Sequence, residues 1–345
     1  MISNGVEKTK SYDKKNVLVI GGAGFIGSHL CDELIKNCKV VCLDNFSSGD
    51  EKNIDHLLAD ENFKFIRHDI TEPIDLRQYP ELAPFKIEFQ GIREIYNCAC
   101  PTSPKYFDQN KIATLLANSY GVKNGLDLAV KYGAKFLHFS SSVIYGPRRE
   151  GNPKIKESDL GQVDLLSPRS SYDEGKRFAE TIVTNYREVL KVDAKIIRLF
   201  RIYGPRMKLN DGQMIPDFIA AALDNRDLLI QGDHAFSSSL CYVSDVIDAS
   251  LKIMEHDHAG PLNIGSDQDI NLTDLANKII KITNSRSKIT YQEKHLFFTE
   301  LSLPNIDLAR NELGWMPIMT LEKGLEKTIY DLRANKGIVD FKANL

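Results

Sequence analysis

The 345-residue chain has little that would mark it for a membrane, a nucleic acid or an oxidising compartment. No apolar run approaches the roughly 20 residues needed to cross a bilayer. The first fifteen residues, MISNGVEKTKSYDKK, are polar and have no apolar core, so residues 1–15 read as a polar tail and not as a signal peptide. Lysine and arginine number 44 against 47 aspartates and glutamates, a net charge of −3, so neither a nucleic-acid partner nor an anionic membrane surface is expected. The six cysteines (Cys31, Cys38, Cys42, Cys98, Cys100, Cys241) form no framework, and one residue between Cys98 and Cys100 is the wrong spacing for a CxxC site. They read as mostly buried thiols, which points to a reducing, cytoplasmic location. The eight histidines show no H-E-x-x-H spacing, so no metal is expected. There is no internal repeat and no low-complexity tract. The single tryptophan, Trp315, is expected to anchor the C-terminal helices in a core.

What is present is an ordinary globular composition, 42% hydrophobic and 26% charged. NVLVIGG, KVVCLDN, FKFIRHDI, REIYNCAC, AKFLHFSSS and DAKIIRLFRIYG are short β-branched apolar runs. Stretches with helical spacing separate several of them, among them FIGSHLCDELIKN, TLLANSYGVKNGLDLAVKYG and SYDEGKRFAETIVTNYREVL. That alternation predicts an α/β fold with a doubly wound parallel sheet. Beyond about residue 205 the elements shorten, with helices at IPDFIAAALDN, LTDLANKIIKIT, NIDLARNELGW and LEKGLEKTIYDLRAN and short strands at DLLIQG and PLNIG. This second part is expected to pack over the first as a lid.

Two motifs carry chemistry. In GGAGFIGSH, Gly21, Gly24 and Gly27 follow a strand and open a helix that begins with Phe25 and Ile26. Glycines at this spacing let the backbone turn tightly and approach a pyrophosphate, whose charge then sits at the helix N-terminus. Asp44, 17 residues after Gly27 and followed by Asn45, stands where an acid binds both ribose hydroxyls and repels a 2′-phosphate. The pattern predicts an NAD site. In SYDEGKR, Tyr172 and Lys176 are four residues apart and share a helix face. A lysine beside a phenol is expected to lower its pKa toward that of a general base. Ser141, at the end of the HFSSS strand, is placed to orient a substrate hydroxyl.

These motifs, with CACPTSPKY, YGPRMKLNDGQMIPDFI, YVSDV and LGWMP, resemble the extended short-chain dehydrogenase/reductase (NAD-dependent epimerase/dehydratase) family across nearly the whole chain. Within it the chain most resembles the UDP-glucuronate decarboxylases, or UDP-xylose synthases. The resemblance implies a Rossmann-type domain over residues 16–205 and a smaller nucleotide-sugar-binding α/β lobe over mainly 206–345, with a soft boundary that the chain may recross. It implies that Tyr172 takes the proton of the sugar C4 hydroxyl, that Ser141 shares it, and that Lys176 holds Tyr172 and the nicotinamide ribose. Asp69 and Ile70 would flank the adenine, and Asn118 would support the catalytic strands. Pro101, Ser103, Tyr106, Ser142, Val143, Arg201, Arg206 and Ser238 would line the sugar and diphosphate. A homodimer built from the helices bearing Asn118 and Tyr172 is also implied.

Three positions depart from the family pattern. Val143 stands where the decarboxylases carry a glutamate, and the Asp-Glu pair of the 4,6-dehydratases would fall at Ser142 and Val143. Ser238 replaces an arginine and Arg201 an asparagine, both near the diphosphate. Arg201 either supplies the cation that Ser238 lacks or simply reaches solvent or a neighbouring acid. Arg206 is likewise either an anion ligand or one half of a surface ion pair. Three readings stay open: a decarboxylase with a remodelled pocket, an NAD-dependent epimerase or oxidoreductase on a related nucleotide sugar, and a non-catalytic dinucleotide-binding sensor. The whole-chain resemblance favours the first and Val143 the second, while an intact Ser141–Tyr172–Lys176 set speaks against the third.

Overall fold

A computed structural model describes residues 14–343 except 149–150, 152–153, 233–235, 259 and 294–300. The polar tail therefore lies outside the described residues, save Lys14 and Lys15. Seven parallel strands make one sheet: β1 (Asn16–Ile20), β2 (Lys39–Asp44), β3 (Phe63–Arg67), β4 (Glu94–Asn97), β5 (Lys135–Ser141), β6 (Ala194–Leu199) and β7 (Pro261–Ile264), in the spatial order β7-β6-β5-β4-β1-β2-β3. Every residue of β1 is buried, as a strand covered on both faces requires, which is why NVLVI reads as an unbroken apolar run.

The register matters for function. Ile20 pairs with both Leu43 and Asn97, Asn97 with His138, and Ser141 with Leu199. Strands β1 and β4 finish level, β5 and β6 run three residues further, and the loops after β1, β2, β4 and β5 open on one edge. In open α/β sheets that carboxyl edge is where ligands bind.

Helices α1 (Phe25–Leu34), α2 (Phe107–Leu116), α3 (Val122–Tyr132) and α4 (Ser170–Leu190) belong to the βα units. The segment TLLANSYGVKNGLDLAVKYG is expected as one helix, and the structure divides it. A π-helical turn, Ala117–Gly121, separates α2 from α3, an irregularity frequent at functional sites. In the second part are α5 (Met214–Leu223), α6 (Val243–Glu255), α7 (Leu272–Thr283), α8 (Asp307–Leu313) and α9 (Leu321–Ala343). The short strand in PLNIG does not stay in a separate lobe: it is β7, paired to β6 with Leu262 opposite Ile197. Helix α6 likewise packs on α1, β5 and β6. The chain thus returns to the first sheet after leaving it. Trp315, between α8 and α9, is fully buried and its indole N–H donates to the Asp245 carbonyl at 2.9 Å. Among the described residues no helix is long and apolar enough to cross a membrane.

Candidate functional site

On the carboxyl edge the glycine loop follows β1, an interior strand. Gly21 has φ +77°, and a Cβ there would stand 2.8 Å from the Ala99 backbone; a Cβ on Gly27 would stand 2.1 Å from the Gly21 carbonyl oxygen. Only glycine allows the loop to fold so tightly onto α1. Gly24 caps α1 without a side chain, and the first turn, Phe25 onward, carries no acid. Its N–H groups and the positive end of the helix dipole are left for an anion. Asp44 closes the other side of this loop. Its carboxylate accepts the Ala23 N–H at 3.0 Å and the Phe46 N–H at 2.8 Å, and burial raises its pKa against the pull of those bonds. Asn45 donates to Asp69 at 2.9 Å. Burial pushes Asp69 up, but bonds from the Thr71 amide, the Thr71 hydroxyl and Asn45 outweigh it and hold the carboxyl below its ordinary value. Ile70 is buried, and its carbonyl accepts from Asn124 at 2.8 Å. Loop, uncapped helix and the Asp44 carboxylate at the end of β2 together fit a dinucleotide, with Asp69 and Ile70 on the β3 side.

Across β4 from the glycine loop, Ser141 terminates β5 and caps the 3-10 turn Ser142–Tyr145, its Oγ accepting the Val143 N–H at 3.4 Å. Tyr172, in the first turn of α4, lies beside the Ser141 hydroxyl, which lowers its pKa. Its ring lies 5.7 Å from that of Phe107. Lys176 is buried one turn on, its Nζ donating to the Phe139 carbonyl at 2.8 Å. The expected lowering of the phenol pKa is not what this arrangement produces. Burial pushes Tyr172 up, the Cys100 thiol adds to the rise, and the Ser141 hydroxyl and Arg169 offset only part of it. Lys176 spends its proton on Phe139, so the cation that must favour phenolate is directed at β5. Asn118, fully buried in the π turn, donates to the Thr114 carbonyl at 2.9 Å and to Cys100 Sγ at 3.1 Å, which ties the β4 loop to α2. Gly175 lets α4 come against it: a Cβ there would meet Asn118 at 3.1 Å. His138, beneath these groups, is held neutral by burial and by Lys176.

The remaining sequence candidates divide. Ser103 donates to the Asp211 carbonyl at 2.7 Å, so the segment carrying Pro101, Ser103 and Tyr106 docks on the Asn210-Asp211-Gly212 loop. Ser142 and Val143 are buried in the floor turn. Ser238 is buried in a short strand. Arg201, at φ +35°, lies at the end of β6, and its carbonyl accepts the Cys241 N–H at 3.1 Å. Arg206 is held by the first and last helices. Its guanidinium pairs with Asp32 of α1 at 2.6 Å and its backbone amide donates to Asp331 of α9 at 2.8 Å.

A cavity of about 170 Å³ opens beside Val143. Gly146 and Pro147 continue the floor, and Asp164, Arg169, Asp173 and Leu301 form its walls. Sequence reading missed Asp173, although it stands next to Tyr172. The one available signal was its position four residues after Arg169, which it meets at 3.3 Å. Among the described residues no group of three or more His, Cys, Asp or Glu side chains can hold a metal ion, and all six cysteines are free thiols.

A family model described as the NAD dependent epimerase/dehydratase family matches residues 17–265. UDP-glucuronic acid decarboxylase 1 of Arabidopsis thaliana is 36% identical over 318 residues, 92% of this chain and 69% of the relative. The solved structure of UDP-glucose 4-epimerase with UDP-glucose from Thermotoga maritima superposes with a TM-score of 0.81 at 26% identity, covering 93% of this chain and 99% of the other. That of UDP-glucuronic acid 4-epimerase from Bacillus cereus, in complex with UDP-glucuronic acid and NAD, gives 0.80 at 25% identity, with 93% and 99% covered.

Proposed function

The chain belongs to the NAD-dependent epimerase/dehydratase family and takes NAD as its cofactor, and from that footing we propose that it oxidises the C4 hydroxyl of a UDP-linked sugar at Ser141, Tyr172 and Lys176. The reaction we assign is decarboxylation of UDP-glucuronate to UDP-xylose or its 4-keto form. The observation that carries this reading is the convergence of Ser141, at the end of β5, with the helix of Tyr172 and Lys176, which the 2.8 Å bond from Lys176 to the Phe139 carbonyl fixes on the same sheet edge as the glycine loop. Its support among relatives is the similarity to the Arabidopsis decarboxylase over 92% of the chain.

Bound NAD supplies a hydride acceptor at the sugar carbon. Tyr172 takes the C4 hydroxyl proton, which Ser141 steadies by its own hydroxyl. Lys176 is the nearby cation available to a developing phenolate once its Nζ turns from the Phe139 carbonyl. The ketone so formed is β to the C6 carboxylate and serves as its electron sink. Val143 is consistent with this step. A carboxylate laid over an apolar, buried side chain loses hydration that no hydrogen bond replaces, which favours its departure as carbon dioxide.

One observation favours a second reading, 4-epimerisation of the same substrate: Val143 offers no proton-transfer group, and epimerisation at C4 requires none there. As assembly we propose a homodimer through α2, the π turn and α4, where Ile112, Tyr120 and Phe178 are exposed at 68%, 58% and 52%. The free thiols support a cytoplasmic location.

The test is to incubate the purified protein with UDP-glucuronate and NAD and follow products by NMR. UDP-xylose or its 4-keto precursor supports decarboxylation, and UDP-galacturonate moves the protein to the second reading. Unchanged substrate, here and across a panel of UDP-sugars, would leave an NAD-binding protein without this activity.

A further inference from the structure

The cavity beside Val143 has no role in oxidation at C4, for which Ser141, Tyr172 and Lys176 suffice. It shares Val143 with the turn that Ser141 caps, and among its lining residues the ionisable groups are Asp164, Arg169 and Asp173. These three are not equivalent. Asp164 is exposed, and its Oδ1 accepts the Leu166 N–H at 2.9 Å, so it serves the turn that it begins. Arg169 lies over the Phe107 ring at 5.7 Å and reaches Asp173 Oδ1 at 3.3 Å, long for a charge-assisted bond. Asp173 is buried, with its side chain 12% exposed, and directly follows Tyr172 on α4. Burial raises its pKa, which Arg169 only partly offsets and Glu174 supports. A second carboxylate arriving with the sugar pushes in the same direction.

Resting on the decarboxylase reading, we propose that Asp173 is a catalytic residue, the acid that delivers a proton to C5 of the sugar after carbon dioxide leaves. The C5–C6 bond breaks, its electron pair enters the C4 carbonyl as an enolate, and carbon dioxide departs. The enolate then re-forms the C4 ketone by taking the Asp173 carboxyl proton at C5. The Asp173 carboxylate left behind is reprotonated by water through the cavity and rests meanwhile beside Arg169. Val143 has no proton to give, and Ser141 and Tyr172 are engaged at the C4 oxygen. The single buried carboxyl of the cavity wall thus takes the step that the floor residue does not.

The experiment uses the full chain with NAD and UDP-glucuronate in D2O, comparing wild type with Asp173→Asn and Asp173→Glu. Reduced-nicotinamide absorbance reads C4 oxidation, and NMR reads deuterium and configuration at C5. Wild type is expected to place one deuterium at C5 in a single configuration. Asp173→Asn is expected still to oxidise C4, to form product about 10²- to 10³-fold more slowly, and to distribute deuterium over both faces of C5. Asp173→Glu is expected to recover the single configuration. An Asp173→Asn product of one configuration at the wild-type rate overturns the proposal. So does a wild-type product that is epimerised at C4 without deuterium at C5, although C4 oxidation then stands. Failure of wild type to oxidise UDP-glucuronate at all refutes the proposed function itself, and this step with it.

Discussion

Arg198 and Glu180 face each other beneath the floor of the site, with Nη2 2.7 Å from Oε2, Nε 3.0 Å from Oε1, and side chains only 11% and 12% exposed. The pair is the centre of a wider network. Ser140 donates to Glu180 at 2.5 Å, Arg198 Nη1 donates to the Tyr145 hydroxyl at 2.6 Å, and Tyr145 donates to Asn263 of β7 at 2.8 Å. It therefore fastens the turn that bears Val143 to β5, α4, β6 and β7. Removing one partner of a buried pair leaves an uncompensated charge, which costs about 3–5 kcal/mol. Arg198→Met is expected to lower the urea midpoint accordingly, and the double variant Arg198→Met/Glu180→Leu to regain much of the loss. A single-variant loss below about 1 kcal/mol would mean that water already screens the pair.

Gly27→Ala tests the dinucleotide loop. The new Cβ meets the Gly21 carbonyl oxygen at 2.1 Å, and backbone must move to relieve it. Overpacking of this kind costs about 1–3 kcal/mol. NAD affinity measured by calorimetry is expected to fall at least about tenfold, with Tyr172 chemistry recovered in part at saturating NAD.

Asp44→Ser addresses cofactor choice. The substitution removes the acid expected to hold the ribose hydroxyls and to repel a 2′-phosphate. Hydrogen bonds to charged groups are worth about 1.5–3 kcal/mol, so NAD binding should weaken by about 10- to 100-fold while the preference over NADP narrows. Unchanged preference would place the discrimination at another residue.

Asp217 on α5 carries a pH signature. Burial, then the neighbouring Asp211 carboxylate, push its pKa up to about 6. A folded-state pKa above the unfolded value means that the protonated form is favoured by folding. The contribution is full below the unfolded carboxyl range and is lost as pH rises through about 6. Asp217→Asn should therefore be more stable than wild type at pH 7, by about 1 kcal/mol once partial exposure is discounted. The gap should close toward pH 4. Parallel stability–pH curves for the two proteins would contradict this.

The proposed dimer has its own test. Ile112→Glu/Phe178→Glu places two charges on the exposed apolar face of α2 and α4. Light scattering should give a dimer for wild type and a monomer for the variant, with circular dichroism unchanged. A monomeric wild type would remove the assembly from consideration.

Much of the fold, and the placing of the candidate motifs on its elements, were legible because their signals are local. The Gly21–Gly27 spacing, the acid at the end of the next strand, and the four-residue step from Tyr172 to Lys176 all depend on backbone geometry within one or two elements. Runs such as NVLVI announce buried parallel strands for the same reason. The fate of Arg206 was not legible: GPRM does not say that the guanidinium meets Asp32, 174 positions earlier in the chain. Nor does PLNIG say that Leu262 pairs with Ile197.

The sequence by itself determined the family and its phosphate-binding frame, since a strand, a glycine turn and a helix N-terminus make a phosphate site wherever they occur together, and it set Tyr172 and Lys176 on one helix face. Only the tertiary structure decided what surrounds that face. It turned Lys176 toward Phe139, let burial hold the Tyr172 phenol up, set the Arg198–Glu180 pair under the floor, and walled the space beside Val143 with Asp173 and Arg169. Each of these depends on which distant segments share a dry volume, and both desolvation and charge pairing are properties of that volume rather than of the residues that enter it.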